Sequence, residues 1–325
     1  MRKAWLLALL ALGLPVAALC QRGAARPALA TSYAGGVRTI ADMPYRTVDG
    51  EALTLDLYLP PKAGWKRPAV LFVHGGGFIQ GHSRMMGAET DFPARLAALA
   101  EKGYVVASIE YRLAPKSRFP AQVRDAKAAV AWLRGHRDDY GIDPERIAIW
   151  GSSAGGMIAA SVGTSCGVRD LDPEGADAGS RDNCVQAVAD WFGPTAADSD
   201  RLSAIYLGCL ASLNCDADRI KAASPMSHIS PGDPPVQIVH GDSDDLVPLA
   251  QSKGLEEALR TAGVAVELRV IAGAGHGLRA NDPAQQKAIL DDAMASLTGF
   301  LDRTIGSSSS HGRAPAAAAE GKAGD

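Results

Sequence analysis

The pentapeptide Gly151-Ser152-Ser153-Ala154-Gly155 follows the apolar run Ile147-Ala148-Ile149-Trp150. A buried strand that stops at Gly-x-Ser-x-Gly and gives way to a helix places its central serine on a strained turn, with Oγ projecting from the sheet edge. Side chains at Gly151 or Gly155 would collide across so tight a turn. The helix expected from about Ala154 aims its unpaired N–H groups and positive dipole end at the serine. Ser153 is the candidate nucleophile. A second match, Gly163-Thr164-Ser165-Cys166-Gly167, lies where that helix should end, and Ser165 is read as a helix terminus followed by a loop.

A serine hydroxyl needs a base to take its proton, and the base needs an anion to orient it. After a nucleophile elbow the partners follow in the order acid, then histidine. Two histidines lie beyond residue 240, His276 and His311. His276 sits in Gly273-Ala274-Gly275-His276-Gly277, directly after an expected strand, and takes the base role. The acid is sought in Gln237–Pro248, which offers Asp242, Asp244 and Asp245. Asp244 stands three positions before Val247-Pro248 and best fits an Asp-x-x-Val-Pro spacing, with Asp245 as the alternative.

Acyl transfer builds negative charge on the carbonyl oxygen, which fixed donors must meet. His74-Gly75-Gly76-Gly77-Phe78 follows another apolar run, and its glycines let backbone N–H groups face a site with no side chain in the way. Gly76 and Gly77, with the N–H of Ala154, are the expected oxyanion hole. His74 is read as a structural hydrogen-bonder. Neither GxGxxG nor GxxxxGK[ST] is present, which disfavours a nucleotide or phosphate loop.

These residues need a scaffold that brings distant turns to one edge. A hairpin is expected around Asp49-Gly50, between strands near 40–47 and 52–59. Pro68–His74 reads as a strand buried on both faces. A helix near 91–102, a strand over 104–110 and a helix over 121–137 follow, with Val123, Ala126, Val130 and Leu133 at helical spacing. Asp143-Pro144 reads as a turn or helix start. Further strands are expected at 185–192, 235–240 and 264–271, and helices at 248–262 and 284–303. Such alternation implies a mainly parallel sheet of about eight strands, covered by helices on both faces. Ser153, His74 and the Asp244 segment then fall at the strands' carboxyl ends, where such sheets carry their sites.

The chain has 325 residues, 47% of them hydrophobic, and a formal net charge of -3. That charge gives no electrostatic reason to expect nucleic acid or an anionic membrane. Arg2 and Lys3, the apolar run Ala4–Leu14 and Pro15 before small residues read as an export signal over 1–20. Cleavage is expected after Ala18 or Cys20, and the protein is expected to be secreted or periplasmic. Lipid modification of Cys20 is the lesser alternative, since bulky Leu19 suits that processing poorly. No later segment is apolar for long enough to span a bilayer. Residues 21–38 read as a linker, 39–305 as the folded domain and 306–325 as a disordered tail. Cys166, Cys184, Cys209 and Cys215 remain after cleavage, and an even count in an exported chain suggests disulfides. Of three possible pairings, Cys166–Cys184 and Cys209–Cys215 close short local loops. No metal site is expected, because neither pair has CxxC spacing or a histidine nearby.

Taken together, His74–Gly77, Tyr111-Arg112-Leu113-Ala114-Pro115 with Phe119-Pro120, Gly151–Gly156, Asp244–Pro248 and Gly275-His276-Gly277 resemble the motifs of α/β-hydrolase esterases with an HGGG motif. The branches concerned are the hormone-sensitive-lipase-like and the bacterial feruloyl- and acetyl-esterase-like ones. The resemblance covers roughly residues 40–303. It implies the α/β-hydrolase fold and ester hydrolysis through an acyl-serine intermediate, without metal or organic cofactor. Unlike many hormone-sensitive-lipase-like members, this chain has little room for an N-terminal cap. Its one sizeable insertion is 194–233, where Ile205, Tyr206, Leu207 and Leu210 are expected to form a wall; Phe78, Ser152 and Tyr206 are the expected pocket residues. An open site would accept short acyl or aryl esters, either small molecules or esters on a polysaccharide. An arylformamidase-like amidase or an exopeptidase on the same fold is the rival enzyme, and a catalytically inactive binding module the rival of another class.

Overall fold

Hydrophobic alternation and Gly-centred turns set the first strands. β1 (Arg38–Val48) and β2 (Glu51–Leu59) form an antiparallel hairpin whose turn, Asp49-Gly50, has φ of 50° and 80°. The remaining strands are β3 (Arg67–Val73), β4 (Val105–Ile109), β5 (Ile142–Ser152), β6 (Ala187–Trp191), β7 (Val236–Gly241) and β8 (Val266–Ile271). The computed structural model describes residues 26–62, 66–87, 89, 91–177, 180–196, 201–209 and 215–306. The expected export signal with Cys20, Leu210, and the tail beyond Gly306 lie outside the described residues.

The described strands form one eight-stranded sheet in the order β1-β2-β4-β3-β5-β6-β7-β8. Pairings from β4 through β8 are parallel, and β2 runs antiparallel to both its neighbours. Parallel neighbours require crossovers, supplied here by helices α1 (Phe92–Glu101), α2 (Ala121–Gly135), α3 (Arg137–Tyr140), α4 (Ala154–Thr164), α5 (Arg201–Leu207), α6 (Ala217–Ala223) and α7 (Leu249–Thr261), while α8 (Pro283–Thr304) follows the last strand. Caps start three of them: the Asp91, Asp216 and Asp282 side chains accept from the N–H groups of Ala94, Asp218 and Gln285, and Pro93 and Pro283 occupy positions that need no donor.

Two cores result. On one face Val123, Val130 and Leu133 of α2, Met157 and Ile158 of α4 and Leu255 of α7 pack on β-strand side chains such as Leu71 and Ile149. On the other, Leu96 of α1 and Leu290, Leu297 and Leu301 of α8 cover Phe72, Trp150 and Trp191. The Phe72–Trp150 and Trp150–Trp191 ring pairs meet edge-on at 4.7 and 4.8 Å, a geometry worth about 0.5–1.5 kcal/mol beyond burial. The chain thus has an α/β-hydrolase fold with helices on both faces, and among the described residues the short helices α5 and α6 lie in the 194–233 insertion.

Two expectations change. Asp143-Pro144 lies within β5, although Asp143 does form a local turn by accepting from Glu145 N–H at 3.0 Å. The β3–β5 register shifts at that point, between Arg67 and Ala69, so the turn is absorbed as an irregularity at the start of the strand. The stretch 26–38 is not a free linker. Val37 is wholly buried in the core, Tyr33 packs on Tyr58 at 6.2 Å, and Arg26 pairs with Glu110 at 2.7 Å. Its one buried valine and one paired arginine give too little pattern to distinguish docking from linker in sequence.

Candidate active site

Ser153 stands between β5 and α4 with φ 54° and ψ −123°, a left-handed backbone rarely tolerated outside glycine. Its N–H bonds to Trp191 O at 2.9 Å and its carbonyl accepts from Met157 N–H at 3.1 Å, so strand and helix hold the turn from both sides. A methyl group at Gly151 would run into the Gly155 carbonyl, and one at Gly155 into the Val73 and His74 carbonyls. Only glycine fits either position.

Ser153 Oγ lies 2.9 Å from His276 Nε2, and His276 Nδ1 lies 2.8 Å from Asp244 Oδ2. Three turns at the carboxyl ends of β5, β7 and β8 converge here. The His276 loop is closed by mutual backbone bonds between Gly275 and Arg279 and pinned by Gln286 of α8, which donates to Leu278 O and accepts from Ala280 N–H. Phe192, itself at φ 44°, sets its ring edge-on to His276 at 5.2 Å.

Asp244 is 1% exposed at its side chain. Burial alone would raise its pKa, but donors from His240, His276 and the Val247 N–H outweigh burial and hold the carboxyl well below the usual range. Its Oδ1 accepts from Leu246 and Val247 N–H at 2.9 and 2.8 Å. Asp245, the alternative, is exposed on the rim of the cavity, and the imidazole contact belongs to Asp244.

A cleft of about 760 Å³ opens over Ser153 and His276. Gly75, Gly76 and Gly77 form one side of it, with Gly76 at φ 111° and Gly77 at φ 61°, where L side chains are strained. Ala154 is buried at the first position of α4, beside Ser153. His74 is buried and stacked on Tyr111 at 4.3 Å; its Nδ1 donates to Gly75 O at 2.7 Å, and burial lowers its pKa, keeping the ring neutral. It shapes the glycine loop and does not line the cleft.

Of the three expected pocket residues, Ser152 lines the cleft. Phe78 and Tyr206 do not: they stack on each other at 3.9 Å in the core, and Tyr206 also meets Phe119 edge-on. Ile205 and Leu207 are buried as well. The wall is made instead by Leu202, one turn earlier on α5, with Met85, Met86 and Phe192, while Arg279 and Asn281 give it a polar end. Cys166 and Cys184 are joined in a disulfide, as are Cys209 and Cys215, with Cα atoms 5.1 and 5.2 Å apart. Among the described residues no cluster of His, Cys, Asp or Glu could hold a metal, and no helix is long and apolar enough to cross a membrane.

Leu202, Phe192 and His240 carry no sequence motif.

A model of the BD-FAE family matches residues 55–259. Esterase LipQ of Mycobacterium tuberculosis is 33% identical over 69% of this chain and 53% of its own length, and Esterase LipC of the same organism 31% identical over 73% and 60%. The chain therefore spans about half to three fifths of the length of these curated relatives. Among solved structures, Thermogutta terrifontis esterase 2 phosphoramylated by tabun superposes with a TM-score of 0.66 at 28% identity, covering 84% of this chain and 97% of that one. A truncated carbohydrate esterase from gut microbiota gives 0.63 at 25% identity, over 83% of this chain and 100% of that one.

Proposed function

The chain belongs to the BD-FAE family of α/β-hydrolase esterases, and from that premise we propose that it is an exported serine carboxylesterase acting on short-acyl or aryl esters. The observation that carries the chemistry is the Ser153–His276–Asp244 chain of contacts at 2.9 and 2.8 Å. Asp244, an anion, can only accept, so His276 Nδ1 bears the hydrogen and Nε2 is left bare to take the serine proton. Ser153 Oγ then attacks the ester carbonyl, and the oxygen that becomes negative is received by the N–H groups of Gly76, Gly77 and Ala154. His276 passes its proton to the departing alcohol, leaving the acyl group on Ser153. Water, deprotonated by the same imidazole, releases the acid and restores the serine.

The cleft wall of Leu202, Met85 and Met86 suits a short or flat acyl group. The polar end at Arg279 and Asn281 suits a hydrophilic alcohol, whether a small molecule or an ester-bearing polysaccharide. That a similar protein is a carbohydrate esterase supports this reading. Export through residues 1–20 places the enzyme outside the cytoplasm, where its two disulfides persist. The packed stretch that includes Tyr33 and Val37 is counted with the catalytic domain.

A fluorophosphonate probe should label Ser153, and p-nitrophenyl acetate should be cleaved in preference to aminoacyl-p-nitroanilides. Preference for the anilides would overturn the esterase reading in favour of an amidase or peptidase, and absence of labelling would favour an inactive binding module. Asp244→Asn should lower kcat on the order of 10³-fold while Asp245→Asn stays near the parent; the reverse would reassign the acid. A mature protein beginning at Met1 would refute export.

A further inference from the structure

We propose that His240, set by Ser252, is a positioning residue that holds the carboxylate of Asp244 toward His276, extending the catalytic chain by two residues behind the acid. The proposal rests on the reading of Asp244 as the acid of an acyl-transfer site.

Asp244 Oδ2 is approached by two imidazoles, His276 Nδ1 at 2.8 Å and His240 Nε2 at 3.3 Å. The second ring belongs to β7, four residues upstream, and is wholly buried. Its protonation follows from its neighbours. His240 Nε2 also lies 2.9 Å from the Val247 carbonyl, which can only accept, so Nε2 carries a hydrogen shared between that carbonyl and Asp244 Oδ2. In the neutral ring Nδ1 is then bare, and the Ser252 hydroxyl, 2.6 Å away and also buried, supplies its donor. Ser252 lies on α7, so a strand and a helix together fix the ring.

The arrangement closes on itself. Val247 donates its N–H to Asp244 Oδ1 and offers its carbonyl to His240, whose Nε2 faces Asp244 Oδ2. His240 thus braces the Asp244–Val247 turn at both of its ends. That turn is otherwise outward-facing: Asp245 is exposed and Leu246 is 59% exposed. Without the brace, Oδ1 stays on the Leu246 and Val247 N–H groups but Oδ2 keeps only its contact to His276, and a misplacement of about 1 Å in a catalytic group costs on the order of 100-fold in rate. The other ionisable groups around His240 are Asp244 and, from the adjacent strand β6, Asp190, whose carboxyl burial pushes up to about 7.

Two substitutions separate the two ends of the ring. His240→Gln places an amide N–H where Nε2 stands, so the contact to Asp244 and Val247 survives. His240→Asn places its amide where Nδ1 stands, within reach of Ser252 but short of Asp244. With kcat normalised to serines titrated by a fluorophosphonate, His240→Gln should stay within about threefold of the parent. His240→Asn should lose about 10- to 100-fold in kcat, with KM for p-nitrophenyl acetate within about twofold. A merely structural histidine would lower the thermal midpoint in both variants and leave kcat per titrated serine unchanged, overturning the proposal. Should His240→Asn fail to fold, Ser252→Ala decides: a fall of about threefold or more in kcat, corrected in the same way, supports the chain, and a parental kcat overturns it. Asp244→Asn is the control. Parental activity there would sink the reading of the acid itself; an inactive Asp244→Asn beside a fully active His240→Asn would sink only the inference drawn here.

Discussion

The turns that present Ser153 and Asp244 are fixed by backbone chemistry. Ser153 is strung between Trp191 O and Met157 N–H with glycines on both sides, and Asp244 bonds the N–H groups of its own turn. The described residues of the 194–233 segment beside them are fixed by side chains: Tyr206 is wedged against Phe78 and Phe119, Gln251 of α7 accepts from the N–H groups of Thr195 and Ala196, and a disulfide joins Cys209 and Cys215. The first kind of construction allows almost no substitution at its key positions. The second has a packed layer beneath and a lining layer above, and the lining residue Leu202 can change without disturbing the layer that holds it. Chemistry and selectivity are therefore built on different parts of the chain.

The contrast breaks first at Gly155. A methyl there meets the Val73 and His74 carbonyls, and backbone of a central strand cannot give way. Gly155→Ala should cost more than about 4 kcal/mol, seen as insoluble protein or a collapsed melting midpoint. Gly254→Ala, in α7 where a methyl meets nothing, should instead add about 0.5–1 kcal/mol. If Gly155→Ala is well folded, the turn is less constrained than argued. Next in size, Ser153→Ala should lower kcat for p-nitrophenyl acetate on the order of 10³-fold or more, with little change in thermal midpoint. Residual activity within tenfold would mean that another group attacks.

These same constraints explain what was legible in the sequence. The Ser153 elbow and the Gly75–Gly77 loop announce themselves because a strained turn admits few residue types, and the sheet because buried strands and amphipathic helices alternate. Asp244 stood out from Asp245 by its distance from Val247-Pro248, which the structure turns into Val247 N–H bonding Asp244 Oδ1. The cleft wall was not legible. Phe78 and Tyr206 are aromatic residues near the expected site, but they are 128 positions apart and satisfy each other at 3.9 Å; no local pattern reports such a pairing. His240 was overlooked for a related reason: a histidine in an apolar strand is indistinguishable from a core residue until Ser252 and Asp244 are brought beside it.

Within the insertion, the two layers can be tested separately. Tyr206→Ala removes a wholly buried ring and should cost about 3–5 kcal/mol of stability. Leu202→Ala should cost about 1 kcal/mol or less and shift the acyl-length preference among p-nitrophenyl esters. Unfolding midpoints and an acyl series on both variants check this. Selectivity that follows Tyr206 and ignores Leu202 would mean that the layers are misassigned.

The last test lies at the point where the two regions meet. Asp190 lies in β6 just before its last residue, Trp191, which holds the Ser153 N–H, and its Oδ1 accepts from Gly193 N–H at 2.9 Å, where the chain leaves for the insertion. Complete burial raises its pKa to about 7, although the Gly193 N–H pulls it down. In the unfolded chain the same carboxyl titrates near its ordinary 3.8. Between those values the folded protein holds a proton that the unfolded chain has released, so this group makes stability fall as pH rises from about 4 to about 7. The slope from one such group is at most about 1.4 kcal/mol per pH unit, and it flattens above the folded value. Asp190→Asn keeps the acceptor for Gly193 and carries no charge at any pH. Urea unfolding at pH 5 and pH 8 should therefore show the variant gaining on the parent at pH 8. An equal difference at both pH values would mean that Asp190 is ionised throughout.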